Sequence, residues 1–147
     1  MTIIPGIFDN TILISAVTAW LIAQVLKVII NFTLHRTFDI GFLISSGGFP
    51  SSHSATVSAV ALGVGKYYGW DSPIFAVAAI FGMIVMYDAA GVRRAAGKQA
   101  EVINQLVAGL YNQMSNLSQE RLKELIGHTP FEVFAGAIVG IVVGLLV

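Results

Sequence analysis

The sequence predicts an all-α integral membrane protein: a bundle of about four transmembrane helices plus one amphipathic helix, forming a single domain over residues 1–147. Apolar residues make up 56% of the chain and charged residues only 11%, whereas a soluble domain carries about 25% charged residues. The mean hydropathy is +0.80, and a small soluble domain could not bury that much apolar surface. Four apolar runs of helical length approach the extent that a bilayer requires.

Charge and cysteine content exclude several classes of function. The net charge is zero, with eight basic and eight acidic residues, so no basic excess is present that would favour nucleic-acid binding. The chain contains no cysteine, which excludes disulfides, zinc-thiolate sites and thiol chemistry. A basic segment does not precede the first apolar run, so we do not expect a cleaved signal peptide.

The first two apolar runs predict helices with different surroundings. The first covers Thr11–Ile30, which is long enough to span a bilayer, and any of residues 9–11 can cap its start. The second follows the segment Pro50–His53 and continues to Tyr68. It is short and rich in Ala, Gly and Ser, a composition typical of a helix that packs closely against other helices.

The third and the last runs carry clearer start signals. The third begins at Pro73, which suits the first helical position, behind an N-cap at Asp71 or Ser72, and it ends near residues 88–91. The last run covers Phe131–Val147 and has glycines at four-residue spacing, which let another helix approach closely, within the chain or in a second copy. These glycines are Gly136, Gly140 and Gly144.

The segment Lys98–Leu117 has a different pattern. Its apolar residues recur at spacings of three and four, with polar residues on the opposite side. This pattern predicts an amphipathic helix that lies along the membrane interface or packs over the bundle. A helix that faces a protein partner is the main alternative.

Four crossings, with the amphipathic helix outside the membrane core, would place the starts of the second and last runs on one membrane face. His53 and His128 could then share a site. Most cations fall on that face, which the positive-inside rule makes cytoplasmic, so we expect the site on the cytoplasmic side of a bacterial cell membrane. Those cations are Lys27, Arg36, Arg93, Arg94, Lys98, Arg121 and Lys123.

Two short segments contain residues suited to phosphate chemistry. In residues 47–55 a Gly- and Pro-containing turn leads into a helix start, where free amides attract anions and His53 can donate a proton. An ordinary capped turn beside a surface histidine is equally compatible. His128 and Glu132 lie one helical turn apart, so the carboxylate can orient an imidazole that attacks phosphorus. The same Glu132 can also close a capping box with Thr129.

Several cations could contact phosphate oxygens. Arg93 and Arg94 can grip phosphate through paired hydrogen bonds, or simply anchor a helix end, and Asp88 can pair with one of them. Lys27 and Arg36 follow the first run, where Lys27 can alternatively extend toward the headgroups. No tight ligand motif predicts a metal site.

These segments together resemble the divergent branch of the type-2 phosphatidic acid phosphatase superfamily, which also includes the vanadium-dependent haloperoxidases. The resemblance covers the chain from Lys27 to Gly140. Pro50–His53 resembles the second superfamily motif, Pro-Ser-Gly-His, with serine in place of glycine. His128 and Glu132 keep the spacing of the third motif, with Glu in place of Asp.

The chain departs from the phosphate-binding parts of the superfamily pattern. Lys27 and Arg36 resemble the first motif at a longer separation, and the Ser-Arg pair of the third motif is missing. Another arginine is therefore expected to supply that phosphate contact. The candidates are Arg93 or Arg94, with Arg121 and Lys123 as nearby substitutes.

The resemblance implies a metal-independent phosphatase that needs no cofactor. His128 would attack phosphorus and form a phosphohistidine, Glu132 would orient and stabilise the imidazole, and His53 would protonate the leaving alkoxide. Other residues would stabilise the phosphate oxygens. These are Lys27, Arg36, the amides around Ser51 and Ser52, Arg93 and Arg94, with Asp88 and Lys123 in support.

Three functions stay open at this point. A phosphatase for an inner-leaflet lipid, such as phosphatidylglycerophosphate or phosphatidic acid, fits the charge pattern better than one for an outward-facing polyprenyl pyrophosphate. A catalytically silent lipid-phosphate-binding or scaffold protein would keep the pocket without turnover. A transporter subunit ranks last, because few charges lie within the spans. A homodimer could complete the bundle, which has fewer helical segments than is usual in the superfamily.

Overall fold

The computed structural model describes residues 5–36, 47–111 and 127–147, and every regular element within these ranges is a helix. The predicted all-α class is therefore confirmed. The expectations for Arg121 and Lys123, and for the last part of the amphipathic segment, lie outside the described residues. The helices are α1 (Pro5–Phe8), α2 (Thr11–His35), α3 (Ser52–Tyr68), α4 (Pro73–Ala90), α5 (Val92–Tyr111) and α6 (Pro130–Leu146).

The helix starts follow the predicted capping signals. Asn10 caps α2, with its side-chain oxygen accepting a hydrogen bond from the Leu13 N–H at 3.0 Å. Ser72 caps α4 immediately before Pro73, and its hydroxyl accepts from the Phe75 N–H at 3.2 Å. Each cap satisfies an amide that has no partner inside its own helix, which explains why the helices begin at these residues.

Two stretches, Thr11–Leu34 and Pro73–Gly109, are long and apolar enough to cross a membrane. Helix α2 continues to His35 and so exceeds the predicted run. Helices α3 and α6 have 17 residues each, which corresponds to about 26 Å and lies near the shortest length that spans a bilayer. The number of four crossings stays a prediction.

Helix α3 lies at the centre of the bundle, where it packs against α2, α4 and α6. The buried cluster between α2, α3 and α6 consists mainly of small side chains, whereas many large apolar side chains of α2, α4 and α6 point outward. This arrangement suits a lipid environment, in which small residues bring helices together and large ones face the acyl chains. The buried cluster comprises Ala19, Ala23, Ala55, Ala59 and Val143.

The glycine row of α6 faces α3 of the same chain. A Cβ atom built on Gly140 would lie 2.8 Å from Ser58 Cβ and 2.9 Å from the Ala55 carbonyl carbon. Gly136 and Gly144 meet the same neighbouring helix. Of the two partners that the spacing left open, the structure therefore gives the one within the chain.

The amphipathic helix begins at Val92 and not at the predicted Lys98. Only Gly91 separates it from α4. The Gly91 N–H donates to the Tyr87 carbonyl at 2.8 Å, and the Gly91 carbonyl accepts from the Ala95 N–H at 2.9 Å. Helical hydrogen bonding thus continues across the break, which is why α5 starts earlier than its apolar spacing suggests.

The apolar face of α5 is exposed, including Val102, Ile103 and Leu106. Among the described helices, α5 packs only against α4. The amphipathic pattern is confirmed, while its placement along the membrane interface, or against a partner, stays a prediction.

Candidate functional site

Four helix ends meet at one end of the bundle: the C-terminal ends of α2 and α4 and the N-terminal ends of α3 and α6. His53 comes from the first turn of α3, and His128 directly precedes the cap of α6. Their ring centroids are 5.8 Å apart and the rings are inclined at 65°. The structure thus brings together the two histidines that the predicted four crossings place on one membrane face.

The His128 imidazole is fixed from one side by Glu132. The His128 Nδ1 lies 2.9 Å from the Glu132 Oε2 atom, and the Thr129 N–H donates to that same oxygen at 3.2 Å. The Glu132 N–H donates to the Thr129 hydroxyl at 3.3 Å, which completes a capping box. Because an ionised carboxylate only accepts hydrogen bonds, Nδ1 is the donor of this bond, and in the neutral imidazole Nε2 then keeps its lone pair. Glu132 therefore caps α6 and orients the imidazole at once.

The other nitrogen of His128 is buried and without a partner. Neither His128 Nε2 nor His53 Nδ1 forms a hydrogen bond with any part of the chain that the structure describes. His128 is only 2% exposed. Buried polar atoms are normally satisfied, and exceptions mark strained or reactive positions. The unpartnered Nε2 beside a second imidazole is thus suited to bind a polar group or to attack one.

The start of α3 contributes amides, although not the amide of Ser51. The Ser51 N–H donates to the Glu132 carbonyl at 3.0 Å, and the Ser51 hydroxyl accepts from the Ser54 N–H at 3.3 Å. Ser51 is thus committed to joining α3 to α6. The amides of Ser52 and His53 form no backbone hydrogen bond with another described residue, so the anion-attracting end of α3 is provided by these two.

Lys27 is buried at the site, so the alternative that it extends toward the headgroups is wrong. Its side chain is 1% exposed. Its stem packs beneath Gly48, where an added Cβ atom would lie 3.2 Å from both Cγ and Cδ of Lys27. The positive φ of 93° at Gly48 also favours glycine there. The negative charge of Glu132 acts on the ammonium and offsets part of the cost of burying it.

The corner between α4 and α5 docks against the residues that precede α6. The His128 N–H donates to the Ala89 carbonyl at 3.0 Å. A Cβ atom on Gly127 would collide with the backbone of Arg93 and Arg94. Sequence reasoning missed this contact, although a glycine directly before a candidate site histidine is a signal of close backbone approach.

The corner also contains an ion pair. The Arg93 Nε donates to the Asp88 Oδ2 at 3.0 Å, and both side chains are about half exposed. The predicted pairing of Asp88 with one of the two arginines is confirmed, and the partner is Arg93. The charges of Arg93 and Asp88 both act on His53.

Not every predicted cation joins the histidines. Arg36 ends α2 in the left-handed conformation, with an exposed side chain, about 13 Å beyond Lys27 along the helix axis. Arg94 makes no ion pair within the described ranges. Lys123 lies outside the described residues.

An open groove of about 740 Å³ lies at the opposite end of the bundle, between the start of α2 and the end of α3. It is lined by Asn10, Ala16, Val64 and Tyr68, among others. None of the residues predicted for phosphate chemistry lines this groove, so the groove and the histidine pair are separate features.

Comparison with known proteins identifies relatives along nearly the whole chain. A family profile described as the divergent PAP2 family matches residues 8–143. A protein of Bacillus subtilis (strain 168), described as the uncharacterized membrane protein YuiD, is 46% identical over 151 aligned positions that cover 95% of each chain. No solved structure matches.

Proposed function

The chain belongs to the divergent PAP2 family, and we propose that it is a membrane lipid-phosphate phosphatase acting through a phosphohistidine on His128. One observation carries the proposal. His128 presents a buried, unpartnered Nε2 next to His53, while Glu132 holds its Nδ1. A nucleophile oriented by a carboxylate, with an acid–base group beside it, is the arrangement that covalent phosphoryl transfer requires.

In the first step the lone pair of His128 Nε2 attacks phosphorus and forms an N–P bond. The P–O bond to the lipid alcohol breaks, and the His53 imidazolium gives its proton to the departing oxygen. Glu132 stabilises the positive charge that develops on the His128 ring. The products are a free lipid alcohol, a phosphohistidine and a neutral His53.

In the second step water attacks the phosphohistidine, and neutral His53 takes a proton from that water. The N–P bond breaks, its electron pair returns to Nε2, and inorganic phosphate leaves. Lys27 and the amides of Ser52 and His53 stabilise the phosphate oxygens in both steps, because donors fixed before the reaction need no reorganisation during it.

The function is tested by phosphate release from detergent-purified protein in EDTA. The substrates are phosphatidylglycerophosphate, phosphatidic acid and a polyprenyl pyrophosphate. We expect release from a monophosphorylated glycerolipid without added metal. Absence of release from all three lipids by well-folded protein would contradict the proposal.

A silent phosphate-binding protein is the second candidate, favoured by the missing Ser-Arg pair of the third motif. It would bind orthovanadate, which adopts the five-coordinate geometry of phosphoryl transfer, yet would form no product. Turnover and binding therefore separate the two functions.

Sidedness can be measured with single cysteines, because the chain has none of its own. We propose that the histidine end faces the cytoplasm, so that Lys98→Cys in α5 is protected from an impermeant maleimide in intact cells and labelled after permeabilisation. Tyr68 lies at the other end of the bundle and is 61% exposed. Tyr68→Cys is therefore the matched control and should be labelled in intact cells. The reverse pattern would place the site outside.

Glu132→Gln is expected to lower kcat by about 10²–10⁴-fold with little change in KM, because glutamine lacks the charge that stabilises the imidazolium. Glutamine at this position can still complete the capping box, so the helical circular dichroism should stay unchanged. Glu132→Ala removes both functions and should also lower the free energy of unfolding by about 1 kcal/mol. A Glu132→Gln protein with wild-type kcat would exclude a charge-stabilising role for the carboxylate.

A further inference from the structure

The corner between α4 and α5 contains an arginine in an unusual setting. Asp88 and Arg93 are five residues apart, and on a continuous helix such a pair does not share a face. The break at Gly91 turns the start of α5 so that Arg93 Nε reaches Asp88 Oδ2 at 3.0 Å. The ion pair therefore depends on the corner and fixes the direction of the guanidinium.

Two backbone contacts hold this corner against the nucleophile segment. The His128 N–H bonds to the Ala89 carbonyl at 3.0 Å, and Gly127 leaves no room for a side chain against the backbone of Arg93. The residue before His128 and His128 itself thus contact both sides of the break. Any movement of the corner would be transmitted directly to the nucleophile.

The charges of the corner also act on the second histidine. The positive charge of Arg93 and the negative charge of Asp88 both act on His53, from across the site. Arg94, the neighbouring candidate, contributes no such interaction with His53. Of the two arginines that the sequence offers for phosphate, the structure therefore favours Arg93.

The manner in which Asp88 holds Arg93 leaves its phosphate-binding atoms available. Asp88 bonds to Nε, and the two terminal nitrogens of the guanidinium can still form paired hydrogen bonds with phosphate oxygens. The side chain of Arg93 is 52% exposed, so an arriving headgroup can reach it. Lys27, by contrast, is a buried point charge that cannot form a fork.

We propose that Arg93 is the arginine that grips the phosphate group, in place of the one missing from the third motif, and that Asp88 is the positioning residue that aims it. The assignment rests on the proposed function for its catalytic consequence, although anion binding by Arg93 does not require turnover. Bound phosphate then lies between the Arg93 fork, Lys27 and the first amides of α3, within reach of His128.

The test measures orthovanadate binding and lipid-phosphate turnover on the full-length protein in detergent. Arg93→Ala should weaken orthovanadate binding by about 10-fold or more and lower kcat by about 10²-fold. Arg93→Lys keeps the positive charge at the corner and should fold like the wild type. Its kcat should nevertheless fall nearly as far as that of Arg93→Ala, because lysine cannot form paired hydrogen bonds with phosphate. Lys98→Ala, which removes an exposed cation further along α5, is the matched control and should behave like the wild type.

The positioning role of Asp88 is tested by a double-mutant cycle. Asp88→Asn should weaken turnover strongly in the wild-type background and far less in the Arg93→Ala background, because the guanidinium that Asp88 positions is absent there. Free guanidinium ion should partly restore turnover to Arg93→Ala. Equal effects of Asp88→Asn in both backgrounds would overturn the positioning role.

The outcomes separate this inference from the proposed function. If the wild type turns over lipid and both Arg93 variants are as active as Lys98→Ala, the Arg93 assignment is overturned and the phosphatase proposal stands. The same conclusion would follow if turnover were lost only in Arg94→Ala. Orthovanadate binding that depends on Arg93, without turnover, would support the assignment and refute the phosphatase. A wild type that neither binds orthovanadate nor turns over lipid would overturn both.

Discussion

Replacing His128 by alanine is expected to abolish phosphate release, lowering kcat by about 10⁴-fold or more. The loss should be this large because His128 supplies the only atom in the proposed mechanism that bonds to phosphorus before water does. The other groups of the site bind and polarise the phosphate, and they cannot replace a covalent step. The control is His35→Ala, because His35 is the third histidine of the chain and takes part in no step of the proposed mechanism.

The intermediate itself can be trapped. A ³²P-labelled lipid phosphate should label the wild-type protein with a bond that is stable in base and labile in acid, as expected for N–P, and His128→Ala should take up no label. With ³²P-labelled 4-nitrophenyl phosphate, whose leaving group departs without protonation, His53→Gln should accumulate the label. The label accumulates because the water that attacks the phosphohistidine then lacks its base. The nucleophile assignment would be refuted if His128→Ala took up the label, or if His128→Ala turned over lipid as fast as His35→Ala.

Gly140→Ala is expected to destabilise the protein strongly, by about 3 kcal/mol, the upper end of the cost of overpacking. The added methyl would meet the Ala55 carbonyl group and Ser58 Cβ of α3 within 3 Å. The obstacle is partly backbone, so no rotamer change can relieve it, and α6 must move away from α3. Since His53 lies in α3 and His128 directly precedes the cap of α6, the separation would also impair turnover.

The matched control is Gly109→Ala in α5, where an added Cβ atom would meet nothing within 4 Å. Alanine is intrinsically a better helix former than glycine by about 1 kcal/mol, so this variant should be neutral or slightly stabilised. The two variants make the same chemical change, and only Gly140→Ala is expected to lower the free energy of unfolding. Their unfolding is compared in mixed micelles of rising dodecyl sulfate content by circular dichroism. A Gly140→Ala protein as stable as Gly109→Ala would show that α3 and α6 do not pack this closely.

Much of the fold could be predicted because its signals are local. Asn10 and Ser72 cap helices through their own side chains, and the Thr129–Glu132 capping box lies within a single turn. The predicted start of α5 was wrong because Gly91 permits helical hydrogen bonding to continue across the break. Apolar spacing shows where a buried face lies, and it does not report where a hydrogen-bonded backbone resumes.

The site was predictable only in part. The spacing of His128 and Glu132 could indicate their contact, since residues four apart on a helix are neighbours. The burial of Lys27 could not be predicted, because it depends on the Gly48 loop folding over its stem. The commitment of the Ser51 amide to the Glu132 carbonyl likewise depends on α6, which is remote in sequence.

The sequence by itself determined that the chain is a helical membrane protein, where most of its helices begin, and which histidine is paired with a carboxylate. These properties follow from composition and from contacts within one or two helical turns. Tertiary structure alone decided that the glycine row of α6 packs on α3, that His53 and His128 lie 5.8 Å apart, and that the backbone of Arg93 packs against Gly127. The physical reason is that each of these depends on close approach between helices distant in the chain, which only the packed bundle fixes.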